Sequence, residues 1–404
     1  MTLLQLHEFH HSFGARFAEL DGAEIVNDYG DWLAEHAALR QSAGVLDLSF
    51  RSRICLTGAD RVRFLHGQVT NDVKRLRVGE GCYAALVTAK GKMESDLSIF
   101  NLQDELLLDF EPGLTGKISQ RLGKFIVADD VQIVDVAPHY GLLSVQGPRA
   151  EDVIRALGLF GVPPSGGPVG TSADRVNAEL PTKLFASLKI SDTTLGEIYL
   201  INHARLDSQR WGERPREPQT NQDGSSVASP HQSGFDLFVP NPSLGAVADK
   251  LIAAAKQIGG RACGWQAFET ARIESGIPRF GVDMDETNIP LECGIENRAV
   301  SYNKGCYIGQ EVINRIHSFG HVNKELRGLR LTDDLELLPQ RGDKLFHNGK
   351  EIGYVTSAVK SPTLNANIAL GYVRRETNQI ETKLILQTVA GESSVRIVGL
   401  PFVK

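Results

Sequence analysis

The chain has few of the features that mark membrane, secreted or nucleotide-binding proteins. No apolar run among its 404 residues is long enough to cross a bilayer, and the N-terminal sequence MTLLQLHEFHH lacks the basic region and the long apolar core of a secretory signal. Walker and dinucleotide-binding glycine fingerprints are both missing. The sequence therefore predicts a cytoplasmic protein with no membrane segment and no nucleotide cofactor.

Cysteine is scarce and scattered. The five cysteines form no CxxC pair, and they are spread singly along the chain. Such a set argues against a disulfide framework and against a metal site built from protein thiolates alone, so we predict no resident metal. The pattern is compatible with a single cysteine that touches a transient iron–sulfur cluster. The cysteines are Cys55, Cys82, Cys263, Cys293 and Cys306.

Neither sign of charge dominates the chain. The formal net charge is −6 and the isoelectric point is near 6.0, which argues against direct binding to nucleic acid. Basic side chains do cluster in one stretch, and they form either a solvated face between two domains or a local basic patch. These side chains are Lys304, Arg315, Lys324, Arg327 and Arg330.

The most informative stretch that is present reads KGCYIGQE, from Lys304 to Glu311. A thiol reacts as the thiolate, and both a neighbouring ammonium and the positive end of a helix favour that form. We expect a helix to open at about residue 308, which places Cys306 just before its start and makes Lys304 the activating cation. Gly305 and Gly309 are expected to let the backbone turn tightly. The alternative is a turn in which Cys306 packs as a small apolar residue.

Hydrophobic periodicity divides the rest of the chain into three parts. Residues 3–40 carry apolar side chains at helical spacing and predict helix. Over residues 51–320, strand hairpins alternate with helices, which is typical of an α+β fold with helices on one face of a sheet. From residue 325 onward the pattern is strand only, with an Asn-Gly turn at 348–349, and it predicts a small antiparallel β-barrel. Residues 210–234 are poor in aliphatic side chains and rich in Pro, Gly, Gln and Ser, so we predict a mobile surface insertion there.

The motif KGCYIGQE resembles the signature of the YgfZ family of folate-binding proteins, which are relatives of the glycine-cleavage T-protein, an aminomethyltransferase. FLHGQVTNDV at residues 64–73 and RIESG at residues 272–276 are similar to further segments of that family. The resemblance implies a T-protein-like, multi-lobed α+β folate-binding body over residues 1–320, followed by a C-terminal antiparallel β-barrel over residues 325–404. Two intertwined lobes are expected in the body, at about 44–160 and 170–320.

The resemblance also implies a pocket for tetrahydrofolate or a one-carbon derivative of it. Tyr83 and Asp96 have the T-protein spacing, in which the aspartate faces the reactive nitrogen of tetrahydrofolate. T-proteins carry two adjacent aspartates at this point, whereas this chain has Ser95 and Asp96. A carboxylate beside a folate amine can accept a proton or stabilise a developing iminium. The alternative for Asp96 is a solvent-facing residue on an edge strand.

Two further residues are candidates for folate contacts. Glu111 stands roughly where T-proteins carry an asparagine that reads the pteridine edge, and a carboxylate can accept hydrogen bonds there. Arg272 can pair with the glutamate carboxylates of the folate tail, because a guanidinium binds a carboxylate through two parallel hydrogen bonds. Alternatively, Arg272 forms a structural pair with Glu269 or Glu274.

The signature loop is expected to be held in shape by its own polar residues. We expect Gln310 and Glu311 to hydrogen-bond backbone groups, with Arg315 in support from the next helical turn. The loop is defined here as Lys304, Gly305, Cys306, Tyr307, Gly309, Gln310, Glu311 and Arg315.

Three functions are consistent with these residues. The first, which the resemblance favours, is a tetrahydrofolate-binding factor that assists iron–sulfur cluster assembly or repair and thereby tRNA modification. Cys306 would then face an iron–sulfur protein or a cluster-assembly partner. The second is an aminomethyltransferase of glycine cleavage, for which the single aspartate and the interrupting insertion are unfavourable. The third is a non-catalytic folate-binding scaffold in which Cys306 only packs.

Overall fold

The structure is a computed structural model that describes residues 1–158, 180–207, 233–335 and 337–403. The predicted insertion at 210–234 lies outside the described residues, except for Ser233 and Gly234, which begin a strand. Within the described ranges, no helix is both long and apolar enough to span a membrane.

The N-terminal forty residues hold two short helices and a hairpin, whereas their apolar spacing predicts only helix. The helices are α1 (His7–Ser12) and α2 (Trp32–Gln41), and between them β1 (Arg16–Leu20) pairs with β2 (Ala23–Asp28). The turn between these strands is Asp21-Gly22, and both residues have positive φ, at 49° and 83°. An Asp-Gly pair accepts that geometry easily, so the local turn chemistry outweighs the helical spacing of the flanking apolar residues.

The first large sheet has five antiparallel strands in the order β5-β6-β7-β4-β8. Helices α3 (Arg61–Gln68) and α4 (Thr115–Gly123) pack against one face of it, through a core that includes Phe64, Leu86 and Leu122. The strands are β4 (Ser52–Thr57), β5 (Glu80–Val87), β6 (Met93–Asn101), β7 (Leu106–Phe110) and β8 (Gln132–Asp135).

The second large sheet has six strands in the order β10-β11-β12-β9-β3-β13, and only the β3–β13 pair is parallel. Helices α5 (Ala150–Ala156) and α6 (Asn241–Gln257) cover one face of it. The strands are β3 (Gly44–Asp47), β9 (Tyr140–Gly147), β10 (Ser187–Asp192), β11 (Gly196–Asn202), β12 (Ser233–Pro240) and β13 (Arg261–Ala262). Strands on either side of residue 160 thus share one sheet, and the division into two lobes stays a prediction.

The uncovered faces of the two sheets contribute to a common middle layer. Side chains alternate between faces along a strand, so Leu143 and Leu237 point to the α5–α6 side while Leu142 and Phe238 point inward. The same alternation sends Tyr83 and Phe100 of the first sheet into this layer. Helix α7 (Trp265–Glu274) completes it, and the candidate site lies here.

The C-terminal part forms the predicted antiparallel barrel, which is closed and has six strands in the order β14-β17-β16-β15-β18-β19. The expected Asn-Gly turn is present, because Asn348 and Gly349 join two of these strands with φ of 50° and 76°. The predicted α+β body followed by an antiparallel barrel is therefore confirmed. The strands are β14 (Lys324–Leu331), β15 (Lys344–His347), β16 (Lys350–Ser361), β17 (Ala366–Arg374), β18 (Lys383–Thr388) and β19 (Gly391–Val398).

Two helices connect the body to the barrel, α8 (Glu296–Ala299) and α9 (Gln310–Phe319).

One buried carboxylate fastens helix α7 to both the body and the barrel. Glu274, at the end of α7, accepts hydrogen bonds from Arg40 of α2 and Ser361 of the barrel. The imidazole of His36 also contacts this carboxylate, at 2.9 Å from Nε2 to Oε2. These contacts fix the helix that supplies one wall of the site.

Candidate functional site

The candidate site is a pocket in the middle layer, between the two sheets and helix α7. Aromatic side chains of α7 form one wall, and polar side chains on strands of the first sheet, or directly beside strands of either sheet, form the others. The pocket is lined by Arg51, Tyr83, Asp96, Ser98, Glu111, His203, Arg205, Trp265, Phe268, Arg272, Ile277, Pro278 and Arg279. All four residues that the sequence proposed for folate contact, Tyr83, Asp96, Glu111 and Arg272, lie in this one pocket.

Tyr83 and Asp96 meet as their spacing predicts. Tyr83 of β5 lies opposite Ser98 of β6, so Asp96 is its diagonal neighbour on the same face of the sheet. The Tyr83 hydroxyl donates to Asp96 Oδ2 at 2.8 Å. Burial, followed by the negative charge of Glu111, raises the pKa of Asp96 to about 6. A carboxyl group with this pKa can hold or release a proton near neutral pH.

Glu111 is already engaged by two arginines. Arg51 Nη1 donates to Glu111 Oε1 at 2.5 Å, and Arg279 Nη1 donates to Oε2 at 3.3 Å. Each carboxylate oxygen therefore has a cationic partner, although each keeps a second lone pair for a further donor. The expected contact of Glu111 with a pteridine edge stays a prediction.

Arg272 is committed to partners within the protein. Its guanidinium donates to Glu269 and Asp283, and also to the Ile277 carbonyl at 3.1 Å. The structural pair with Glu269, which the sequence left as an alternative, is present, whereas Glu274 pairs elsewhere. Only 3% of the Arg272 side chain is exposed, so binding of a folate tail by this residue, which stays a prediction, would require it to share or exchange these carboxylates.

A buried ionic network connects the two sheets, and sequence reasoning missed its members. Arg205, which follows β11, donates to Asp109 of β7 at 2.9 Å and to Asp236 of β12 at 2.7 Å. Arg51 donates to the other oxygen of Asp109 at 2.9 Å. His203 contacts Asp236 at 2.8 Å. The sequence did offer a signal for Asp109 and Asp236. Each is a charged residue at an inward-facing position of an otherwise apolar strand, and buried charges are usually paired.

The ammonium of Lys304 is engaged by backbone carbonyls rather than by the Cys306 thiol. It is buried and donates to the carbonyls of His66, Val69 and Asn71 at 2.6, 2.6 and 2.9 Å. An ammonium has three N–H donors, so all of them are used and none remains for Cys306. Burial lowers the pKa of Lys304 to about 8. These bonds fasten the signature loop to the segment after α3, and activation of Cys306 by Lys304, which none of them supports, stays a prediction.

The other parts of the signature loop only partly match expectation. Cys306 is exposed, which contradicts the alternative of a packed cysteine. Helix α9 begins at Gln310, later than expected, so three residues separate Cys306 from its first residue. Among the described residues, the side chains of Gln310, Glu311 and Arg315 make no hydrogen bond to the loop, because they sit on the outer face of the helix start.

Tyr307 and the two glycines of the loop differ in what the fold demands of them. Tyr307 is buried, its pKa is raised to about 12 by that burial, and the Lys304 ammonium lies 4.7 Å from its ring centroid. Gly309 has φ of 83°, and a Cβ there would come within 2.5 Å of the Thr88 carbonyl oxygen. Gly305 has no such constraint, since the nearest atom to a Cβ would be 3.7 Å away. Only Gly309 is required by the backbone.

Two domain families match the chain along almost all of its described length. The GCVT N-terminal domain matches residues 6–162 and 231–304, and the glycine cleavage T-protein C-terminal barrel domain matches residues 324–404. The chain belongs to the GCVT family. The two matches follow each other along the chain in the order expected for a folate-binding body and a C-terminal barrel.

The chain is similar to aminomethyltransferases over almost its full length. It is 26% identical over 394 residues to the aminomethyltransferase of Geobacillus sp. (strain WCH70), and the alignment covers 97% of this chain and 96% of that protein. It is 27% identical over 400 residues to the aminomethyltransferase of Bacillus subtilis (strain 168), with coverage of 99% and 98%. The crystal structure of glycine cleavage system aminomethyltransferase T from Bartonella henselae has a TM-score of 0.80 at 22% identity, with coverage of 100% and 98%, which shows a shared fold.

The GCVT family uses tetrahydrofolate as its one-carbon carrier. The pocket described above has features that fit such a ligand. It offers a carboxyl group with a pKa near neutrality, aromatic surfaces from Trp265 and Phe268, and polar side chains for a heterocycle. Tetrahydrofolate supplies nitrogen atoms that carry a one-carbon unit when it is bound.

Proposed function

We propose that this chain binds tetrahydrofolate in the pocket beside Asp96 and acts as an aminomethyltransferase, passing a one-carbon unit to that ligand. The observation that carries the proposal is the buried Tyr83–Asp96 contact, with an aspartate pKa of about 6. The names of the full-length relatives support it. In this role Asp96 takes up a proton released from a folate nitrogen, and Tyr83 keeps the carboxyl group oriented.

The missing second aspartate is a weaker objection than the sequence suggests. Ser95 lies next to Asp96 on the strand and therefore points to the opposite face, toward the side covered by α3 and α4. Its hydroxyl donates to the Asp96 backbone carbonyl at 2.9 Å and is fully buried. A serine at this position removes no carboxylate from the pocket.

The proposed function is tested by two measurements on the full-length protein. Calorimetric titration with tetrahydrofolate reports binding, and formation of methylenetetrahydrofolate from glycine with the other glycine cleavage components reports transfer. We expect both binding and transfer. Absence of binding would contradict the whole proposal, whereas binding without transfer would leave the folate site and overturn the aminomethyltransferase activity.

A second candidate function rests on the exposure of one thiol. Among the five cysteines, Cys306 is exposed, whereas Cys82 is half-buried and the other three are buried. An exposed thiol on a loop that Lys304 and Gly309 hold in one shape is suited to contact with a partner. The candidate is the tetrahydrofolate-binding factor for iron–sulfur cluster assembly or repair, with effects on tRNA modification, for which the motif KGCYIGQE is the argument.

Replacing Cys306 with serine separates the two candidates. Because the thiol is exposed and contacts no described side chain, we expect Cys306→Ser to change the free energy of unfolding by less than about 0.5 kcal/mol and to leave tetrahydrofolate affinity unchanged. An aminomethyltransferase keeps its transfer rate in this variant. A cluster factor loses its support of iron–sulfur enzymes in a complementation assay. Cys263→Ser, at a buried thiol, serves as the control for effects that arise from destabilisation alone.

A further inference from the structure

His203 is a pocket residue outside the segments that match the GCVT N-terminal domain, and its ring is held in one orientation. Only 3% of the side chain is exposed. The backbone N–H donates to the Gly234 carbonyl at 2.9 Å, and the backbone carbonyl accepts from Gln146 Nε2 at 2.9 Å. The ring packs against both Phe100 and Phe185, with centroid separations of 5.9 and 5.1 Å. The imidazole therefore has little freedom to turn.

The carboxylate of Asp236 determines which nitrogen of this ring carries the proton. Burial alone would raise the pKa of Asp236, but the Arg205 guanidinium and His203 hold it far below the usual range, so the group is ionised. Ser144 also donates to it, at 2.7 Å. An ionised carboxylate can only accept hydrogen bonds. The 2.8 Å contact of His203 Nδ1 with Asp236 Oδ2 is therefore an Nδ1–H donor.

The second ring nitrogen, Nε2, consequently carries no proton and presents a lone pair. Burial, followed by the charge of Arg205, lowers the pKa of His203 to about 4, so at neutral pH the ring carries a single proton, on Nδ1. Across the described residues, no side chain or backbone group hydrogen-bonds to Nε2, while the residue lines the pocket. An acceptor that lines a pocket and has no donor within the protein is left to a ligand or to water.

Another buried histidine shows the difference between a structural role and this one. His10 also pairs with a buried aspartate, Asp47, at 2.9 Å from Nε2, but its Nδ1 contacts the Tyr29 hydroxyl at 2.8 Å. Both nitrogens of His10 are thus satisfied within the protein, and His10 does not line the pocket. His203 resembles it in burial and partner, and differs in the free nitrogen.

We propose that His203 is a specificity-determining residue of this pocket, whose Nε2 accepts a hydrogen bond from an N–H group of a bound heterocyclic amine, with Asp236 as the positioning residue that fixes the tautomer. The inference rests on the proposed function, since a reduced pterin presents ring N–H and amino donors of this kind. A fixed acceptor rejects ligands that place another acceptor at this point, because two facing lone pairs cannot be satisfied.

The direct test is nitrogen NMR of full-length protein labelled with ¹⁵N-histidine, titrated with tetrahydrofolate. The resonances of His203 are assigned by their loss in His203→Phe. We expect protonated Nδ1 and unprotonated Nε2 at pH 7, and an upfield shift of Nε2 on saturation with the ligand, with Nδ1 still protonated. A ring protonated on Nε2, or an Nε2 resonance that does not move at saturation, would overturn the proposal.

The affinity test compares two variants that remove a buried histidine. His203→Phe keeps a planar ring against Phe100 and Phe185 but removes the acceptor, so we expect the Kd for tetrahydrofolate to rise roughly 10- to 100-fold. His10→Phe removes an equally buried His–Asp pair outside the pocket and is expected to leave the Kd unchanged. Equal affinities of His203→Phe and wild type contradict the inference while leaving the folate site intact. Absence of binding in wild type contradicts the proposed function itself.

Discussion

Replacing Asp96 with asparagine is expected to lower the rate of one-carbon transfer by about 100- to 10,000-fold, the range that a positioned general acid or base contributes. The amide fills the same space and its oxygen can still accept from the Tyr83 hydroxyl. It cannot take up a proton, however. We therefore expect the loss to fall mainly on kcat, with a smaller rise in the Kd for tetrahydrofolate.

The same substitution should stabilise the ligand-free protein, with a defined pH dependence. Burial and Glu111 raise the pKa of Asp96 from 3.8 to about 6, so between these values the folded state binds more protons than the unfolded state. The contribution of Asp96 to the free energy of unfolding is then fully present below about pH 4 and is lost as pH rises through 6. Asp96→Asn removes that loss, and we expect a gain of about 1–2 kcal/mol at pH 7.5 and little change at pH 4.

Glu94→Gln is the matched control for Asp96→Asn. Glu94 lies two residues earlier on the same strand, and its carboxylate pairs with Arg121 at 2.7 Å outside the pocket. Transfer assays and urea titrations at pH 4 and pH 7.5 on both variants provide the comparison. Similar losses of transfer in the two variants would mean that strand stability, rather than a proton at Asp96, limits the rate. A destabilised Asp96→Asn at pH 7.5 would contradict the raised pKa.

The second large effect is expected at Lys304. Lys304→Met retains the apolar part of the side chain but removes the donor shared by the carbonyls of His66, Val69 and Asn71. Buried carbonyl groups left without a donor cost free energy, and we expect the free energy of unfolding to fall by about 3 kcal/mol. Urea denaturation followed by circular dichroism measures this change.

Lys92→Met is the control for Lys304→Met, and thiol chemistry distinguishes a structural lysine from an activating one. Lys92 Nζ donates to one carbonyl, that of Thr287, at 2.6 Å and is partly exposed, so we expect a loss below about 1 kcal/mol. In native Lys304→Met, alkylation of Cys306 should be as fast as in wild type or faster, because the loop loosens. Slower alkylation would support Lys304 as the activating cation.

Local sequence signals predicted much of the fold because their cause is local. The strand hairpins, the closed barrel and the Asn348-Gly349 turn follow from side-chain alternation and from residues that accept positive φ. The helix expected over residues 3–40 is confirmed only at residues 7–12 and 32–41, since Asp21-Gly22 forms the turn of a hairpin between them. There, apolar side chains at helical spacing belong to two separate helices and a hairpin, so spacing alone was misleading.

The sequence by itself determined that Tyr83 and Asp96 lie together, since both belong to one hairpin and their separation sets their register. Tertiary structure alone decided the part of the pocket that the second sheet contributes. His203, Arg205 and Asp236 come from the second sheet and meet Asp109 only because the inner faces of two sheets stack. Lys304 sits beside Cys306 in sequence, yet its ammonium turns to carbonyls more than 230 residues away along the chain. Sequence proximity indicates which side chains are near, whereas the direction of a long side chain depends on which distant backbone groups need a donor.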